Sequence, residues 1–143
     1  MRQAIILAKT AFRSGEVPVG AIIVKDKQVV GKGYNQTEML NDPTAHAEMI
    51  AISSACATLD SKYLTGCTLY VTLEPCPMCA GALVWSKISR IVFGAMDPKA
   101  GACGTLFNIS SNKKLNSSAE IIHGLMEYEC SELLKEFFKE RRK

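Results

Sequence analysis

Thr68-Leu69-Tyr70-Val71-Thr72-Leu73-Glu74-Pro75-Cys76-Pro77-Met78-Cys79 runs from a β-branched, apolar segment straight into a proline-started one. Thr68–Leu73 predicts a strand. Pro75 predicts a helix start, with the helix running to about Ser86, because the first helical position has no use for an N–H. A strand that hands its carboxyl end to a helix is where sites of open α/β sheets sit. Residues 73–76 are such a junction.

Upstream, Val19–Val24 and Val29–Tyr34 read as two strands joined by a turn at Lys25-Asp26-Lys27, hence a hairpin. Before them, residues 2–14 read as a helix with Ala4, Leu7, Ala8 and Ala11 on one face and Gly15 as the stop. After them, Asp42-Pro43-Thr44 offers helix-start signals for a helix reaching about Leu59. Downstream, Arg90–Gly94 reads as a strand, and Glu120–Gly124 as the last one. The longer segment 95–118 between them is expected to hold one short helix around Thr105–Ile109. Cys130, Leu133, Leu134, Phe137 and Phe138 then repeat at i, i+3, i+4, i+7, i+8, the stripe of an amphipathic helix. Strands alternating with helices imply a three-layer α/β/α fold around a mixed sheet of about five strands, covered on both faces.

The chain has 143 residues, which argues for one domain over 1–143, and no Gly/Ser/Pro-rich linker divides it. Hydrophobic residues make up 48%, which excludes disorder as the default state. The net charge of +3 excludes a histone-like polycation but leaves room for a local basic patch. Lys9 interrupts the first apolar run, Ala4 to Ala8, so neither a membrane span nor a secretory leader is expected there. Six cysteines without such a leader read as reduced thiols plus a metal site, and the expected compartment is the cytoplasm.

The chemistry concentrates in two runs, His46-Ala47-Glu48 and Pro75-Cys76-Pro77-Met78-Cys79. Spacing i, i+3 places Cys76 and Cys79 on one helix face, in a first turn whose dipole favours thiolate. His46 falls near the start of its own helix, so two helix starts can aim three ligands at one ion. Thiolate and imidazole suit Zn2+, and three protein ligands leave the open position that marks a catalytic zinc, which lowers the pKa of bound water to ~7. Glu48 suits a group that touches the water without ligating the metal. The combination is the H-x-E…P-C-x-x-C pattern of zinc deaminases. Taken singly, a C-x-x-C also fits a redox pair or a structural zinc site.

Further stretches carry a closer likeness. They are Gly15-Glu16-Val17-Pro18-Val19-Gly20-Ala21, Gly33-Tyr34-Asn35, Asp42-Pro43-Thr44-Ala45-His46-Ala47-Glu48, Thr68–Cys76, Met78-Cys79-Ala80-Gly81-Ala82 and Asp97-Pro98-Lys99, with Phe137-Phe138 in the terminal helix. Over nearly its whole length the chain resembles the bacterial tRNA-specific adenosine deaminases, within the zinc cytidine/deoxycytidylate deaminase superfamily. The resemblance implies a cytidine-deaminase-like fold, one Zn2+ per chain and a homodimer. It also implies a hydrolase acting on a cyclic amidine, which converts the wobble adenosine of a tRNA anticodon loop to inosine. It makes His46, Cys76 and Cys79 the zinc ligands and Glu48 the proton shuttle. It places Asn35 on the target nucleoside, Ala47 (through its backbone) and Leu73 along the base pocket, and Asp97 and Lys99 beside the nucleic-acid groove. Two departures stand out. Asn116-Ser117-Ser118 occupies a place where the family often has Asn-His-Arg, and Pro77 is common among relatives acting on free bases.

Plainer readings compete at several positions. His123 would close a Cys₂His₂ structural site with the other three ligands, or is a packed or edge residue. Cys56, Cys67, Cys103 and Cys130 read as small buried hydrophobes. Phe137 reads as core, whereas Phe138 is placed to stack on a flanking base. Lys139, Arg141, Arg142 and Lys143 suit either a solvated helix end or phosphate contact. Ala80–Trp85 fits a core helix or a dimer contact. At the level of function, a deaminase of free guanine or cytosine and a zinc-stabilised binding module stand beside RNA editing.

Overall fold

A computed structural model describes residues 1–141; Arg142 and Lys143, expected at the basic helix end, lie outside the described residues. The elements are α1 (Arg2–Arg13), β1 (Gly20–Lys25), β2 (Gln28–Tyr34), α2 (Thr37–Leu40), α3 (Ala47–Leu59), β3 (Thr68–Leu73), α4 (Pro77–Trp85), β4 (Arg90–Ala95), β5 (Glu120–His123) and α5 (Glu127–Arg141). They build one five-stranded sheet in the order β2-β1-β3-β4-β5. β1 is antiparallel to both β2 and β3, while β3, β4 and β5 run parallel. The expected mixed sheet and α/β class therefore hold.

Helices cover both faces. α3 lies on β1 and β2 with α4 beside it, and α1 and α5 pack together against β1, β3 and β4. Alternation along the strands sorts the side chains between the faces. Ala21, Ile23, Leu69, Val71, Ile91 and Phe93 join Ala47, Ala51, Ala55, Ala80 and Leu83 in the larger core. Ala95, Ile5 and Cys130 form the smaller one. α3 sits unusually close to β2 because small residues face one another. A Cβ at Gly33 would lie 2.4 Å from the Ala47 carbonyl oxygen, and one at Gly31 2.5 Å from that of Ala51.

Two helix starts and one expected helix differ from expectation. α3 starts at Ala47 rather than near Asp42. The Asp42 carboxylate accepts from the Thr44 N–H (2.8 Å) and hydroxyl (2.7 Å), which holds 42–44 as a side-chain-closed turn instead of a first helical turn. α4 starts at Pro77, with Cys76 as the extended residue before it, so the second proline and not Pro75 opens the helix. No helix forms at Thr105–Ile109. Gly104 has φ +131, outside any helix, and Cys103 bridges Asn108 instead. The four-residue α2 was not expected.

Candidate active site

Two helix starts meet at the carboxyl end of β3. His46 is the residue before the first turn of α3 and Cys76 the residue before that of α4, both in extended conformations (ψ 155 and ψ 173) that swing their side chains off the helix ends. Cys79 follows inside the first turn of α4 and is fully buried. The His46 Nδ1 lies 3.6 Å from the Cys76 Sγ and 3.5 Å from the Cys79 Sγ. All three candidate ligand atoms fall within 4.8 Å of one another. With Zn–S ≈ 2.3 Å and Zn–N ≈ 2.0–2.1 Å, a tetrahedral zinc spaces its sulfur and nitrogen ligands by roughly 3.6 Å. The donor set thus has both the chemistry and the spacing to hold a metal ion.

The three groups are hydrogen-bonded to one another through the His46 ring nitrogen. Hydrogen bonding from Cys79, aided by His46, pulls the Cys76 thiol down to about 4. The bond to Cys76 raises the His46 imidazole, and the Cys79 thiol is pushed up by its bond to Cys76 and by burial. Glu48 stands in the first turn of α3, 4% exposed. Burial pushes its carboxyl up to about 7, against the opposing pull of His46 and Cys79.

All of these groups but Cys79, which is buried behind them, line a cavity of about 290 Å³. His46, Ala47, Glu48 and Cys76 contribute to it together with Leu73 at the end of β3, as do Asn35 after β2 and Asp97 after β4. The Asn35 amide donates to the Val17 carbonyl at 3.3 Å and accepts from the Thr37 N–H at 3.3 Å, so the side chain is fixed in place. Lys99 and Phe138 do not reach the cavity. Lys99 is exposed on the rim loop, where its N–H donates to the Asp97 carboxylate at 2.9 Å. Phe138 is 46% exposed on α5, edge-on to Phe137 at 5.4 Å, while Phe137 is buried as expected. His123 is exposed on β5 and stacks on Phe93 at 6.1 Å; it is not part of the ligand group. All six cysteines are free thiols.

Sequence reasoning missed Val17, Val19, Thr37, Glu74 and Ala100 as lining residues. Val17, Val19 and Glu74 lie inside stretches already singled out, so their position beside a motif was the available signal. Thr37 and Ala100 carry no local mark, because only the folding of their loops brings them in.

A buried acid beside a His-Cys-Cys donor set, at the end of the central strand of a mixed sheet, defines a deaminase. The profile of the MafB19-like deaminase family matches residues 1–142. Within that class the chain belongs to the tRNA-specific adenosine deaminases. It is 52% identical over 142 residues to the tRNA-specific adenosine deaminase of Aquifex aeolicus, covering 99% of this chain and 93% of that one. It is 48% identical over 143 residues to that of Bacillus subtilis, covering 100% and 89%. A structure solved in a study of A-to-I editing by tRNA:A34 deaminases at the wobble position superimposes with a TM-score of 0.90 at 42% identity, over 94% of this chain and 97% of that one. The cytidine-deaminase-like fold follows from the same match. Among the described residues no helix is long and apolar enough to cross a membrane.

Proposed function

We infer that the chain hydrolyses the wobble adenosine of a tRNA anticodon loop to inosine, releasing ammonia. One observation carries the reading: the His46, Cys76 and Cys79 donors converge at a pocket that His46, Cys76 and buried Glu48 line. Full-length relatives of that kind support the substrate.

His46 Nδ1 and the Cys76 and Cys79 sulfurs would hold one zinc ion. Bound zinc supplies Lewis acidity and lowers the pKa of a water to ~7. Glu48 moves the protons. It takes one from the water that attacks C6 of adenine and passes it to N1, then takes the remaining proton of the new C6 hydroxyl and delivers it to the departing amine, which leaves as ammonia. Its burial suits this, since a carboxyl raised toward neutrality accepts and releases protons with little cost at working pH. Leu73 and the Ala47 backbone would bound the base, and the second N–H of the Asn35 amide is free to contact the nucleoside. Asp97 and Lys99 on the rim, and Phe138 further out on α5, would meet flanking nucleotides.

The same reading takes residues 1–143 as one deaminase domain, working in the cytoplasm as a homodimer. Trp85, 73% exposed at the end of α4, is the apolar side chain that supports self-association. The decisive assay incubates the zinc-loaded protein with an anticodon stem-loop carrying adenosine at the wobble position. Parallel reactions contain free guanine, cytosine and adenosine. Inosine in the RNA is expected. Rapid turnover of guanine or cytosine with none in the RNA replaces the reading with a free-base deaminase.

A further inference from the structure

The pocket rim formed by residues 97–105 contains neither helix nor strand, yet Asp97 and Ala100 reach the cavity from it. What holds it is a buried acid in the cavity wall. Glu74 is 2% exposed. Its Oε1 accepts from the Asp97 N–H at 3.1 Å and from the Thr105 hydroxyl at 2.5 Å. Its Oε2 accepts from the N–H groups of Cys103 at 3.0 Å and Thr105 at 3.1 Å. Every partner is a donor, which matches an acceptor-only carboxylate, and such charge-assisted bonds are the strong ones. Gly101 packs directly on the carboxylate, where a Cβ would lie 2.5 Å from Cδ. The Glu74 backbone is itself fixed, its N–H donating to the Ala95 carbonyl at 2.9 Å. One side chain thus ties an irregular loop to the strand end that presents Cys76.

We propose that Glu74 is a positioning residue: its hydrogen bonds to the 97–105 rim fix the rim against the pocket floor and so set the affinity for nucleotides flanking the reacting base. The proposal rests on the RNA reading above. It predicts an effect on substrate capture rather than on the chemical step, because among the described residues the Glu74 carboxylate bonds to Asp97, Cys103 and Thr105 and not to His46, Glu48, Cys76 or Cys79.

The test compares wild type, Glu74→Gln and the milder Thr105→Val, all zinc-loaded. Thr105 is exposed, so its replacement removes one bond to Glu74 without opening the core. Gln presents an NH₂ to backbone N–H donors that need an acceptor. KM for the stem-loop should rise roughly tenfold in Glu74→Gln, and about threefold in Thr105→Val with kcat nearly unchanged in the latter. Amide hydrogen exchange should accelerate at Asp97, Cys103 and Thr105, and zinc content should stay at one per chain. Unchanged exchange overturns the proposal, as does faster exchange with unaltered KM. Parallel loss of kcat and zinc also overturns it, because Glu74 then supports the metal donors rather than the rim. If Glu74→Gln does not fold, Thr105→Val decides by the same measurements. A wild-type protein that forms no inosine defeats the substrate reading and the RNA-affinity role with it, while exchange in the variants still shows whether Glu74 holds the loop.

Discussion

Glu48 and Cys79 can be separated by substitution because the proposed function has one move protons and the other bind metal. Glu48→Ala should retain zinc and lose turnover by roughly 10²–10⁴-fold, the range for a positioned proton-transfer group. Metal analysis beside single-turnover kinetics checks this, and near-normal turnover with zinc intact removes Glu48 from the role. Cys79→Ala should instead lose most of its zinc, and full occupancy would contradict the ligand assignment. Zinc uptake should also depend on pH. The Cys79 thiol is held protonated by its bond to Cys76 and by burial, so loading must expel that proton. Proton and metal compete for one sulfur, and affinity therefore rises with pH, by about tenfold per unit for each proton displaced. Competition with a chelator at several pH values measures the slope, and a flat profile would mean that Cys79 enters no metal bond. At this scale the sequence was informative. His46, Glu48, Cys76 and Cys79 were legible because metal and proton chemistry admit few residue types and spacings. Glu74 was not, because a carboxylate whose task is to hold a loop looks in sequence like any acidic residue beside a motif.

At the scale of elements, the α3–β2 contact carries the site. His46 is presented just before α3 and Glu48 in its first turn, and that turn rests on Gly33. Gly33→Ala would drive a methyl to within 2.4 Å of the Ala47 carbonyl oxygen, which is backbone and cannot swing aside. The helix start must lift. The expected cost is about 1–3 kcal/mol of stability, as for overpacking elsewhere, with a matching loss of activity because the lifted residues are the reactive ones. Denaturant unfolding together with kcat measures both, and an unchanged midpoint would show that α3 has slack. The strands, α1 and α5 were readable from period and composition, whereas helix starts and loops were not. Near Asp42, generic start signals were outcompeted by a local carboxylate turn. At Thr105–Ile109, the loop's amides bond to Glu74 and to its own backbone, a long-range arrangement that no local propensity encodes. The four residues of α2 form because buried Glu16 accepts from the N–H groups of Glu38 (3.0 Å) and Met39 (2.8 Å), partners 22 and 23 residues away.

For the whole molecule, the question is how a chain of net charge +3 holds a polyanion. Attraction must be local, and the cations that matter are those near the pocket mouth. Lys99 is exposed on the rim loop, two residues from a cavity-lining aspartate. At the end of α5, Lys139 is exposed beside Phe138. Arg141 is less available to RNA, because it donates to the Gly15 carbonyl and its guanidinium lies 4.8 Å from the Phe137 ring centre. Removing residues 139–143 therefore also cuts the tie between α5 and the end of α1, and some stability should go with the RNA affinity. Point substitutions separate the two effects. Binding of an anticodon stem-loop should weaken linearly in log–log terms as salt rises, since each phosphate contact releases condensed counterions. Lys99→Ala should reduce the magnitude of that slope by about 0.7, the value for one contact to single-stranded nucleic acid, and leave thermal stability unchanged. Lys139→Ala should do the same if the RNA extends along α5, and Phe138→Ala should weaken binding without altering the slope, because stacking releases no ions. Binding isotherms at four or more salt concentrations decide the matter. An unaltered slope in Lys99→Ala would place the phosphates elsewhere, and an unaltered slope in both lysine variants would mean that shape and stacking at the pocket mouth, rather than charge, hold the anticodon loop.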